Sequence, residues 1–142
     1  MSDAPRDTQP APPPPVILVV EDDRDLRFQI AEALRREGFD VRTACSAEEA
    51  IKALGELPMP ALITLDLGLP KMSGAEFIRL KDQYFRWARI PVVVISGRAE
   101  EARLVHAQMT VPKPVDWDAF FDAVHFCCPI VGRGRDNGDG EG

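Results

Sequence analysis

The chain of 142 residues lacks any apolar run longer than a β-strand. That excludes a membrane-spanning helix, which needs about 20 apolar residues. The first 15 residues hold no apolar core of the secretory kind, so no export signal is read there. Cysteine is scarce, with only Cys45, Cys127 and Cys128. An odd count with two adjacent members suits neither a disulfide framework nor a zinc site, and reduced, mostly buried thiols in a cytoplasmic protein are expected. The two histidines, His106 and His125, have no metal-ligand spacing with each other or with the cysteines, and both are read as structural or surface residues. Basic charge is short as well. The formal net charge is -6, which argues against a nucleic-acid partner, since such proteins show a basic face.

What is present is a 45% hydrophobic composition on a length that builds one domain with a real core. Residues 1–15 carry six of the 13 prolines and are expected to form a disordered leader. Residues 130–142 are polar and Gly-rich, and are expected to form a disordered tail. The folded domain is therefore placed at 16–129. Within it, aliphatic runs alternate with helical patterns. Val16-Ile17-Leu18-Val19-Val20 is uninterrupted, as a strand buried on both faces of a parallel sheet should be. Further strands are read at 41–44, 61–65, 92–95 and 109–111. Leu26, Ile30, Ala33 and Leu34 have helical spacing, ended by Gly38. Ser46 with Glu49 and Ser73 with Glu76 read as capping boxes. The second of these opens a helix with Phe77, Leu80, Lys81 and Tyr84 on one side. A short helix is expected near 100–106, and Trp117, Phe120, Phe121 and Val124 mark a last one. Five strand–helix units predict an α/β fold with a doubly wound, five-stranded parallel sheet.

In such a fold, function sits beyond the C-terminal ends of the strands. Glu21, Asp22 and Asp23 follow the first strand, Asp66 the third and Ser96 the fourth, while Lys113 ends the fifth. Each has an ordinary explanation alone. The acidic triplet could cap a helix, Asp66 and Ser96 could be turn residues, and Lys113 could be a solvated charge. Their joint occurrence after successive strands points instead to a shared cleft. Carboxylates gathered there repel, and a divalent cation such as Mg2+ removes the conflict while serving phosphoryl chemistry.

The sequence resembles the receiver domain of bacterial two-component response regulators. The matching text is Val-Val-Glu-Asp-Asp at 19–23, Leu-Asp-Leu-Gly-Leu-Pro-Lys-Met-Ser-Gly at 65–74, Val-Ile-Ser-Gly at 94–97 and Lys113-Pro114. The resemblance implies that Asp66 is the phosphoacceptor. It implies Mg2+ held by Asp66, by Asp22 directly, by Glu21 through water and by the Gly68 carbonyl. Ser96 would be the switch hydroxyl and Lys113 the phosphate-binding lysine, with a cis Lys113-Pro114 bond. The partner implied is a histidine kinase or phosphotransfer protein. With no further domain read after residue 129, the expectation is a non-enzymatic, cytoplasmic, stand-alone regulator that signals by protein contact.

Three departures from that family stand out. The stretch from Ser96 to Lys113 is short, which predicts a short or displaced helix there. Thr110 occupies the place of a large aromatic, and the usual Gly-Ala before the fifth strand is absent. Other readings fit less well. An aspartate-nucleophile phosphatase needs a second Asp where Gly68 stands. A flavodoxin-like cofactor binder needs a Ser-, Thr- or Gly-rich first loop, whereas Glu21-Asp22-Asp23 would repel a phosphate. A phosphorylation-independent binding module is the reading that the altered 96–113 stretch keeps open.

Overall fold

The aliphatic runs at 16–20 and 92–95 become inner strands of a sheet because they are apolar at every position and must be covered on both sides. In the computed structural model, residues 12–56 and 58–129 are described, so most of the expected leader and the whole expected tail lie outside them. The strands are β1 (Val16–Val20), β2 (Asp40–Ala44), β3 (Leu62–Asp66), β4 (Val92–Ser96) and β5 (Met109–Pro112). They form one sheet in the order β2-β1-β3-β4-β5, with every neighbouring pair parallel. β3 and β4 are buried throughout, whereas edge strand β2 is buried only at Val41 and Ala44.

Among the described residues, six helices flank the sheet: α1 (Arg24–Arg36), α2 (Ala47–Glu56), α3 (Gly74–Asp82), α4 (Phe85–Ala88), α5 (Ala99–Arg103) and α6 (Trp117–Cys127). On one face, Ile30 and Leu34 of α1 and Phe120 and Val124 of α6 pack on Ile17, Val19 and Ile95. On the other, Leu54 of α2, Phe77 of α3 and Ala102 of α5 pack on Leu18, Ile63 and Val94. The doubly wound fold expected from the sequence is the one observed. None of the helices among the described residues is long and apolar enough to cross a membrane.

The helix ends follow local chemistry. Gly38, at φ 101°, lets α1 stop in a Schellman motif: its N–H donates to Arg35 O (3.0 Å) and that of Phe39 to Leu34 O (3.2 Å). Ser73 and Glu76 form the expected capping box on α3. At α2 the box is offset. The Glu49 N–H donates to Ser46 Oγ, but the Glu49 carboxylate accepts from Cys45 N–H (2.9 Å), one residue earlier than a strict box requires.

Three expectations are corrected. Tyr84 is not on the α3 face. Its backbone is extended and 52% of its surface is exposed, because α3 closes at Gln83 and the Tyr84 carbonyl starts α4 by accepting from Ala88 N–H. Lys81 sits under this turn, with its ammonium donating to Asp82 Oδ1 (2.9 Å) and Ala88 O (3.2 Å), which satisfies a buried charge. The helix read near 100–106 spans only Ala99–Arg103. Among the cysteines, Cys45 is exposed, since it lies in the loop after β2.

Gly74 matters for the site through its lack of a side chain. Gly74 opens α3 against the end of β3, where an added Cβ would lie 2.7 Å from both Asp66 O and Leu67 Cα. Gly55, in α2, has nothing within 4 Å of such a Cβ. The same substitution should therefore have opposite signs. Gly74→Ala should destabilise by about 1–3 kcal/mol through overpacking against backbone, and Gly55→Ala should stabilise by up to about 1 kcal/mol through chain entropy. Denaturant titration of the two variants checks both signs.

Candidate functional site

The order of the strands makes the site. β1 has β2 on one side and β3 on the other, so the windings diverge there and the C-terminal ends of β1 and β3 bound a crevice. Glu21 is the first residue past β1. Its N–H still donates to Ala44 O (3.0 Å), which extends the pairing by one step and holds its side chain at 1% exposure. Asp23 is withdrawn from the site: its carboxylate accepts from Asp25 N–H and Leu26 N–H and caps α1. The acidic triplet thus divides, with one member spent on capping and two left to the crevice.

Glu21, Asp22 and Asp66 each offer an oxygen, and the three oxygens lie within 4.8 Å of one another. Glu21 and Asp66 are buried and Asp22 is exposed. The Lys113 Nζ reaches across from the end of β5, 3.3 Å from Glu21 Oε1 and 3.4 Å from Asp66 Oδ1. Gly68 lies in the turn after β3, where its N–H donates to Asp66 Oδ1 (3.0 Å). The Lys113-Pro114 bond is cis. Ser96 ends β4 beside this group. Its carbonyl accepts from Lys113 N–H (3.0 Å), but both hydrogen bonds of its hydroxyl go to the Arg98 main chain.

The electrostatics follow from crowding. Burial, then the charge of Asp66, pushes the Glu21 carboxyl up to about 7, although Lys113 pulls the other way. Burial and Asp66 likewise raise Asp22. Burial alone would lower the Lys113 ammonium, yet Glu21 and Asp66 outweigh it and the net shift is upward, so Lys113 stays charged. Three carboxylates against one ammonium leave an excess of negative charge. Glu21 Oε1 is buried without a hydrogen-bond partner, its contact with Lys113 being an ion pair of poor hydrogen-bond geometry. An orphan carboxylate oxygen in an all-oxygen cluster is a donor set that suits a hard cation such as Mg2+.

Two residues that shape this group were not singled out from the sequence. Arg27, in the first turns of α1, donates from Nη1 to Glu21 O (2.9 Å) and more weakly to Asp22 O (3.4 Å). Gly74 packs on the Asp66 carbonyl. The signal for Arg27 was a cation near a helix N-terminus, where the helix dipole disfavours it. The signal for Gly74 was a glycine directly after a Ser cap.

Because Glu21 binds a proton more tightly when folded, its contribution to stability is full below its ordinary value of 4.5 and is lost as the pH rises through about 7. In metal-free buffer, the wild type should therefore lose about 1–3 kcal/mol relative to Glu21→Gln between those two pH values. Denaturant titrations of both proteins across that range check the difference, and parallel curves would contradict it.

Comparison with known proteins agrees with this geometry. The response regulator receiver domain family matches residues 17–125. An NtrX-like response regulator of Rickettsia bellii is 31% identical over 130 residues, covering 87% of this chain and 27% of that protein. The phosphate regulon transcriptional regulatory protein PhoB of Klebsiella pneumoniae is 40% identical over 85 residues, covering 60% of this chain and 37% of that protein. The chain thus spans well under half the length of these relatives. Among solved structures, a response regulator receiver protein from Pseudomonas putida superposes with a TM-score of 0.75 at 29% identity, covering 82% of this chain and 99% of that one. A sheet of order β2-β1-β3-β4-β5, an acidic pocket at its switch point and a family match over most of the chain meet in one conclusion: the protein belongs to the response regulator receiver domains of two-component systems.

Proposed function

We propose that this receiver accepts a phosphoryl group on Asp66 from a phosphohistidine of a histidine kinase or phosphotransfer protein in the cytoplasm, and signals through protein contact. The observation that carries this reading is the gathering of Glu21, Asp22 and Asp66 within 4.8 Å, with Lys113 3.4 Å from Asp66. Asp22, Asp66 and the Gly68 carbonyl would hold Mg2+ directly, and Glu21 through water. When bound, Mg2+ neutralises charge on the phosphoryl oxygens.

The chain's own residues do the rest. The Asp66 carboxylate forms the new O–P bond as the P–N bond breaks, and the electron pair of that bond stays on the departing imidazole nitrogen. The Gly68 N–H holds one Asp66 oxygen in place, which orients the carboxylate. Lys113, kept charged by its neighbours, meets the added negative charge on the phosphoryl oxygens. Ser96 begins with its hydroxyl on Arg98, the residue that precedes α5. Turning that hydroxyl toward an acyl phosphate would release the Arg98 main chain. A change of charge at Asp66 would thereby become a change at the start of α5.

Incubation with acetyl phosphate and Mg2+, followed by intact-mass and peptide mass spectrometry, tests the reading. One phosphoryl group should be added at Asp66, none in Asp66→Asn, and markedly less in Lys113→Ala. Ser96→Ala should still be labelled, because its hydroxyl reads the phosphate rather than attacking it. A wild type that takes no label would contradict the proposal and favour phosphorylation-independent binding.

A further inference from the structure

The backbone of the acidic loop has a dedicated holder. Arg27 is half-buried, and its Nη1 donates to the main-chain carbonyls of Glu21 (2.9 Å) and, more weakly, Asp22 (3.4 Å). A carbonyl turned toward Arg27 fixes the peptide planes from which the Glu21 and Asp22 side chains depart. Other ties on the loop are the Glu21 N–H to Ala44 O, the Asp23 N–H to Glu21 Oε2 (3.2 Å), the Asp23 cap, the Arg27 N–H to Asp23 O (2.8 Å) and the Lys113 ammonium to Glu21 Oε2 (3.4 Å). Of these, none reaches the Asp22 carbonyl. A guanidinium near the start of a helix is set against the helix dipole, so the position is explained by what it bonds and not by helix stability.

We infer that Arg27 is a positioning residue for cation binding, which sets the Glu21 and Asp22 carboxylates through their main-chain carbonyls. This rests on the reading of Glu21, Asp22 and Asp66 as a Mg2+ site. The alternative, a through-space charge effect, predicts the opposite sign. A cation beside the pocket repels Mg2+, so removing it for that reason alone would tighten binding. Partners that orient metal ligands typically govern affinity by about 10–100-fold.

The test is Mg2+ titration by calorimetry, paired with amide hydrogen exchange at Asp23 in metal-free buffer. Arg27→Ala should bind Mg2+ about tenfold more weakly or worse, and its Asp23 amide should exchange faster. Arg27→Lys, which keeps the charge and N–H donors on a shorter side chain without the planar guanidinium, should recover part of both. Arg24→Ala removes the same charge from the same helix end and should leave affinity unchanged or slightly tighter. Affinity in Arg27→Ala equal to or tighter than wild type overturns the inference, as does an equal loss in Arg24→Ala. If Arg27→Ala does not fold, Arg27→Gln is read in its place against the same criteria. Failure of the wild type to bind Mg2+ would overturn the proposed function instead. The exchange measurement, which needs no metal, would then still decide whether Arg27 holds the loop.

Discussion

Repulsion among three carboxylates at one end of the sheet is the constraint on which the rest of the site depends. At an effective dielectric of 20, the buried pair Glu21–Asp66, about 4–5 Å apart, repels by roughly 3–4 kcal/mol when both are charged, and pairs with the exposed Asp22 are screened to less. Glu21 also bears the cost of burial, which is the larger part of its shift. Lys113 offsets some of this, and its two ion pairs tie β5 to the ends of β1 and β3. Nothing in the core requires these charges. Both apolar faces are complete without them. The cluster is a feature that stability alone would not build, and it sits at the switch point where α/β folds bind their ligands.

The same constraint links the site to the surface. Asp66 pairs in register with Ile95, and Ser96 with Pro112, so Asp66, the Ser96 hydroxyl and Lys113 are carried by three adjacent strands or their ends. The hydroxyl of Ser96 is bonded to the residue that leads into α5. That helix has five residues and no side-chain cap, and Leu104 behind it is 85% exposed. A helix this short owes little to its own hydrogen bonds. It is the element that a displaced Ser96 would move most easily, with Thr110 exposed on β5 in place of a ring to rotate.

How much of this was legible in the sequence depended on the kind of interaction. The central strands were legible because apolar runs buried on two faces leave a continuous signal, and their alternation with helical patterns marked a doubly wound parallel sheet, while the order β2-β1-β3-β4-β5 came from the structure. The acidic residues were legible because they fall directly after those runs. Apart from the helix caps, interactions aimed at the main chain were not. The bond from Arg27 to two carbonyls, the turn of Ser96 toward Arg98 and the reach of Glu49 to the Cys45 N–H leave no pattern of residue types. Tyr84 fitted the period of α3 and failed because the helix ended first, with Lys81 drawn under the following turn. Asp23 could be read either way until its carboxylate was seen capping α1.

The central claim is that the pocket's repulsion is what a bound cation relieves. The titration of the Glu21 side-chain carboxyl, followed by carbon-13 NMR with and without Mg2+, measures this directly. Without Mg2+ the carboxyl should titrate near 7, as crowding and burial demand. Saturating Mg2+ should return its midpoint toward or below the ordinary 4.5, because the cation favours the charged form. A Glu21 carboxyl that titrates at its ordinary value in metal-free buffer, or whose raised midpoint Mg2+ leaves in place, would contradict the account.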